Sequence, residues 1–204
     1  MKKTADFGSL VGKILIASPN AKDDGFFKRS LVYVFMHNKD GAYGVVLNQK
    51  TEDIYKGQLS DICSQTDKDN RAMLSSFYKK FSKRNIPIML GGPVNTQYYI
   101  ALSIPDNCAR CCEDSSLVTL YLNIELFVED YLEKGRISDF MLIRGMSIWE
   151  AGQIEDEIAK SNWFISDLDL RTMFSQKNEN RWDYCTRELG ITQELFVAPY
   201  SGNA

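Results

Sequence analysis

Leu31-Val32-Tyr33-Val34-Phe35-Met36-His37-Asn38-Lys39-Asp40-Gly41-Ala42-Tyr43-Gly44-Val45-Val46-Leu47 reads as two strands folded back on each other. Residues 31–37 and 42–47 are apolar and rich in β-branched and aromatic side chains, the types that fit a pleated surface. Between them, Asp40-Gly41 supplies residues that tolerate the backbone angles of a tight antiparallel connection. The run 31–36 does not alternate polar with apolar, so protein is expected on both of its faces, as for a central strand. This hairpin makes the first third of the chain a β-sheet, with residues 10–17 as a preceding strand.

Outward from the hairpin, the periodicity changes. Residues 69–83 switch to helical spacing, with Met73, Phe77 and Phe81 four apart and Leu74 and Tyr78 beside them. Residues 86–90 predict a strand ending at Gly91-Gly92-Pro93, residues 98–104 its neighbour, and residues 117–122 a further one. Asn123 then caps a helix whose apolar stripe is Ile124, Phe127, Val128, Tyr131 and Leu132, with Gly135 as its stop. Residues 140–143 form a short strand. Ser147-Ile148-Trp149-Glu150 has the form of a capping box, predicting a helix through Lys160. Residues 178–189 predict a last helix, with Trp182, Cys185, Thr186 and Leu189 on one side and Gly190 after it, and residues 195–198 a final strand. No repeat or linker divides the 204 residues, so the expectation is one domain, 1–204, of class α+β.

Composition bounds the function. The apolar fraction of 44% supplies a core, and a net charge of -3 gives no general field toward phosphate backbones, which argues against a nucleic-acid partner. The apolar runs are strand-sized and none reaches the length of a membrane span, so a membrane partner is not expected. Five cysteines, three of them crowded at 108, 111 and 112, suit reduced thiols in a cytoplasm better than a disulfide framework. Cys108 and Cys111 have a two-residue gap that zinc sites use, but the further ligands of a tetrahedral site are not evident nearby. Neither a metal nor any other cofactor is expected.

Few residues offer chemistry. His37 is the single histidine, so any imidazole mechanism runs through it. A relay from Ser30 to His37 fails on geometry, since an odd separation along a strand puts the two side chains on opposite faces. Gly91-Gly92 lacks the pattern of a nucleotide loop, and Pro93 lacks an N–H, which points to a tight backbone crossing. On the predicted helix, Trp149, Gln153 and Glu157 stack four apart, either as a core tryptophan with a solvated face or as a polar pocket wall.

Taken together, Gly12-Lys13-Ile14-Leu15-Ile16-Ala17-Ser18-Pro19, Phe27-Lys28-Arg29-Ser30, His37-Asn38 with Gly41 to Asn48, and Gly91-Gly92-Pro93-Val94 resemble the bacterial AlgH/YqgE family. Gly145, Trp149, Gly152-Gln153, Glu157, Trp163 and Trp182 fall where that family's later motifs would place them. The sequence departs from the pattern at Leu102, where many relatives have a histidine, and at Met146, where a tyrosine is usual. The resemblance implies a single-domain α+β fold with a bent, partly barrel-like mixed sheet flanked by helices. Its function is largely uncharacterised, and some members are labelled transcriptional regulators. The leading expectation is a binding or regulatory protein, not an enzyme, that takes a small molecule or a protein as partner. Its ligand-binding surface would comprise Arg29, His37, Asn38, Asn48, Gly91, Gly92, Trp149, Gln153 and Glu157, positions on turns and strand ends where ligand contacts concentrate. The rivals are a hydrolase or transferase with Glu157 as base and Arg29 as anion anchor, and a DNA-binding regulator.

Overall fold

The computed structural model describes residues 8–19, 25–49, 68–81, 88–105, 119–134 and 137–191. The chain packs as two compact units, residues 1–48 with 147–204 and residues 49–146. The fold class is α+β. The expected cysteine cluster at 108–112 and the strand at 195–198 lie outside the described residues.

The first unit is built on the hairpin. Strands β1 (Ile14–Ala17), β2 (Leu31–Asn38) and β3 (Gly41–Val46) are antiparallel neighbours, and Lys39-Asp40 makes the connection. The Asn38 side chain accepts from the Asp40 amide at 2.8 Å and so supports the turn. Gly41 belongs to the strand and not to the turn, a correction to the Asp-Gly reading. It pairs with Glu150, and a β-carbon there would collide with the Trp149 carbonyl. The register shift between Val34 and Met36 is a bulge-like irregularity midway along the hairpin.

The largest departure from sequence expectation is β7 (Ile137–Glu150). Residues 147–150 are not the first turn of a helix but the end of a fourteen-residue strand whose last four residues pair with Gly41 to Gly44. Local capping chemistry lost to strand pairing because the partner offers Gly41, Ala42 and Gly44. These small residues leave room for the Trp149 ring, which comes within 3.3 Å of the β-carbon Gly44 lacks. Helix α3 starts only at Gln153 and ends at Ala159. Strand β8 (Trp163–Ser166), unpredicted, pairs with β1. The strand order of this unit is β7-β3-β2-β1-β8, and no pairing returns β8 to β7 among the described residues, so the sheet is open. Its core joins Leu10, Leu15, Val32, Val34, Trp149, Ile154 and Trp163, with Phe26 and Phe27 packed against it.

Helix α4 (Leu170–Ser175) is capped by Asp169, whose side chain accepts from the Arg171 amide. After a single 3-10 turn, α5 (Arg181–Glu188) buries Trp182, Cys185 and Thr186 as the sequence indicated, while Leu189 is 38% exposed. The Trp182 indole N–H donates to the Ala17 carbonyl at 3.0 Å, tying α5 to the end of β1.

In the second unit, α1 (Lys68–Phe81) and α2 (Ile124–Lys134) lie against strands β4 (Ile88–Leu90), β5 (Val94–Pro105), β6 (Thr119–Tyr121) and residues 137–146 of β7. β4 is parallel to β7 and the other pairings are antiparallel, so the sheet is mixed. Phe77, Phe127, Tyr131 and Phe140 form an aromatic core with centroids 5.0–6.1 Å apart. The Asn123 side chain accepts from the Glu125 amide at 2.7 Å, the cap read from sequence. Leu132, assigned to the buried stripe, is 37% exposed.

A test of the Trp149 pairing is Gly41→Ala, which places a methyl group against the Trp149 carbonyl at φ 137°. Urea unfolding should show a loss of roughly 2–4 kcal/mol. Gly190→Ala, at φ 67° with open space around it, should cost only about 1–2 kcal/mol.

Candidate functional site

Three polar arrangements in the first unit gather most of the residues singled out from the sequence. The first is centred on Glu157. Its Oε2 accepts from the indole N–H groups of Trp149 at 3.0 Å and Trp163 at 2.7 Å, and its Oε1 accepts from the Gln153 amide at 2.9 Å. Gln153 in turn accepts from the Glu150 backbone N–H at 3.0 Å. The two indoles are nearly buried and meet edge to face at 6.2 Å, with Phe27 against both. A tryptophan buried this deeply needs a partner for its N–H, and one carboxylate serves two. Trp149 is on a strand, so the expected helical stripe of three residues is corrected. Only Gln153 and Glu157 are helix neighbours.

The second arrangement is His37. The Leu10 backbone N–H donates to Nδ1 at 3.2 Å, which requires a lone pair there, so the proton of the neutral ring sits on Nε2 and points to Glu155 Oε1 at 2.7 Å. The other oxygen, Glu155 Oε2, is buried without a hydrogen-bond partner among the described residues. Glu155 and Glu157 are two positions apart, about 200° around a helix, so one turn of α3 sends one carboxylate to the histidine and the other to the tryptophans.

The third arrangement surrounds Arg29. Its backbone is left-handed at φ 55°, uncommon for a side chain of this kind. Asn48 holds it there, donating from Nδ2 to the Arg29 carbonyl at 2.7 Å and accepting the Leu31 amide on Oδ1 at 2.9 Å. Ser30 is buried, its hydroxyl donating to the Phe27 carbonyl at 2.7 Å. The Arg29 guanidinium lies 4.4 Å from the centre of the Trp182 ring and pairs with Asp183 at 2.5 Å, both charged side chains about half exposed. Nearby, Arg181 donates to the Leu47 carbonyl at 2.9 Å and Asn178 to the Asn48 carbonyl at 2.8 Å. Burial lowers the pKa of Arg181.

The AlgH-like family model matches residues 14–194. The chain belongs to the AlgH-like family. A UPF0301 protein of Pseudoalteromonas translucida is 31% identical over 197 residues, covering 96% of this chain and 99% of that protein. A UPF0301 protein of Rickettsia prowazekii is 27% identical, with 97% of each chain covered. Among solved structures, the solution structure of AlgH from Pseudomonas aeruginosa superimposes with a TM-score of 0.65 at 22% identity over 100% of both chains. A crystal structure of a Corynebacterium diphtheriae protein gives 0.55 at 18% identity over 83% of this chain and 88% of the other. These likenesses establish the AlgH-like fold and carry no activity with them.

Within that AlgH-like frame, Arg29 and Asn48 are brought together, as are Trp149, Gln153 and Glu157. Arg29 and Glu157 share no partner among the described residues. Gly91 and Gly92 belong to the second unit, where the Gly91 N–H donates to the Arg144 carbonyl at 2.8 Å and the Gly92 carbonyl lies 2.6 Å from where a β-carbon of Gly145 would sit. They form a close backbone crossing. Among the described residues no three His, Cys, Asp or Glu side chains group to hold a metal ion, and no helix is long and apolar enough to cross a membrane. Sequence reasoning missed Glu155 and Asp183 as partners. The acidic run 155–157 was visible, but its split between two faces follows from where α3 begins.

Glu157→Ala strands two buried indole N–H groups and should cost about 2–4 kcal/mol, while Asp156→Ala, exposed on the same helix, should change stability by less than about 0.5 kcal/mol. Thermal unfolding of the two variants separates these outcomes. Cys185 is buried and free, and burial pushes its thiol up from 9.0 to about 11. Iodoacetamide at pH 8 should leave the Cys185 peptide unmodified in the native protein and label it in urea. Because the unfolded chain ionises first, this thiol's contribution to stability is intact below pH 9 and lost as pH rises toward 11.

Proposed function

We propose that this AlgH-like protein acts by binding, as a cytoplasmic regulatory protein that recognises an acidic group on a small molecule or a protein, with Arg29 as the contact. The observation that carries the reading is the left-handed Arg29, clamped by Asn48, stacked on Trp182 and half exposed. Strained backbone of this kind persists where the surroundings over-determine it and is concentrated at ligand sites. A guanidinium pre-placed on an aromatic face loses less freedom when it grips a carboxylate or phosphate. Its pair with Asp183 is an exposed one, of the kind worth about 0–1 kcal/mol, so an incoming anion can displace or bridge it.

In this reading Asn48 shapes the surface and Asn38, at the far end of β2, supports the hairpin turn, while His37, Trp149, Gln153 and Glu157 hold the scaffold and Gly91 and Gly92 serve as a backbone turn of the second unit. The enzyme reading asks Glu157 to act as a base, yet its oxygens are already hydrogen-bonded by three donors. The DNA reading has no support from the net charge of -3.

Thermal-shift screening of carboxylate- and phosphate-bearing metabolites tests the proposal, since a ligand of the native state raises apparent stability by mass action. The hits should lose about tenfold or more in affinity in Arg29→Ala and less in Arg29→Lys. Hits that bind Arg29→Ala as well as the wild type would remove Arg29 from the site.

A further inference from the structure

His37 occupies a position that Arg29 recognition does not use. It stands near the end of β2 with both ring nitrogens engaged, and each engagement has a different dependence on the proton. Nδ1 holds the Leu10 amide only while it has a free lone pair, because two donors facing each other repel. Nε2 donates to Glu155 in either state, and the bond becomes a charged pair once the ring is cationic. The Glu155 side chain is about four-fifths buried and its Oε2 has no hydrogen-bond partner among the described residues, so among those residues the cationic ring is the counter-charge available to this carboxylate.

Among the described residues no other charged group engages the His37 ring or Glu155. Across the ladder His37 faces Ala42 of β3. Lys39 and Asp40 of the turn are exposed, as are Glu150 at the end of β7 and Asp156 on α3. Glu157 is engaged by the tryptophans, and Lys13 from the segment before β1 pairs with Asp167. That segment is fixed to β2 by the Gly12 amide donating to the Val34 carbonyl at 2.8 Å and the Val34 amide donating to the Lys13 carbonyl at 3.0 Å, and Leu10 itself is buried in the core. The His37 contact adds to these two backbone bonds a side-chain tether at Leu10.

We propose that His37 is a proton-operated latch: the neutral ring holds the Leu10 backbone and α3 together, and protonation releases the Leu10 amide while tightening the hold on Glu155. The consequence is local. Acidification loosens the backbone at Leu10 and leaves the β2–α3 connection intact.

His37 is the single histidine, so its ring signals in nitrogen-15 NMR of the full chain are unambiguous. As acidification adds a proton to the ring, the Leu10 protection factor should fall about fivefold, the factor one net hydrogen bond represents. It should follow the ring's own midpoint, while the Val34 amide stays unchanged. His37→Gln, which can accept from the amide but does not titrate, should abolish the transition. A Leu10 amide indifferent to the ring's titration, a ring that keeps one state throughout, or a transition that survives in His37→Gln would each overturn the latch.

Discussion

The interaction on which the first unit depends is the Glu157 carboxylate shared by two buried indoles. Trp149 comes from β7, Trp163 from β8 and Glu157 from α3, so a single anionic group joins both ends of a five-strand order through the helix between them. Burying an indole is favourable for its area and costly for its N–H. The carboxylate resolves both costs together, and its own charge is compensated by three donors. Because the carboxylate must point inward, α3 can take only one rotation about its axis. That rotation sends Glu155 the other way, to His37.

From this follows the division between framework and surface. Groups whose polar atoms are saturated inside the unit, such as Trp149 and Glu157, are positioned to hold geometry. Arg29 differs: its backbone is held by Asn48, yet its charged end is half in solvent with a weak exposed partner. Rigid placement with an unsatisfied or exchangeable head is the combination that recognition requires. Membership of the AlgH-like family agrees with the scaffold.

Much of the fold was legible because the relevant signals are local. The hairpin, the helix at 124–134 with its Asn123 cap, and the buried face of α5 all follow from periodicity, turn residues and capping over a few positions. The misreading of Ser147 to Glu150 has an equally physical origin. The Ser-x-x-Glu pattern is a local preference worth about 1 kcal/mol, whereas pairing with Gly41 to Gly44 buries Trp149 almost completely and completes a ladder. Nothing within four residues of Trp149 announces that a glycine over a hundred positions earlier has made room for it.

The sequence by itself determined the class of the protein: an α+β chain with an antiparallel hairpin, a core rich in aromatics, an acidic balance and the motifs of the AlgH/YqgE family. Tertiary structure alone decided which of those motif residues are framework and which are surface. It set the two carboxylates of α3 against different partners, fixed the His37 tautomer through the Leu10 amide, and gave Arg29 its aromatic support. The physical reason is that propensity and spacing act along the chain, whereas the state of a polar side chain is set by donors, acceptors and burial supplied from elements remote in sequence.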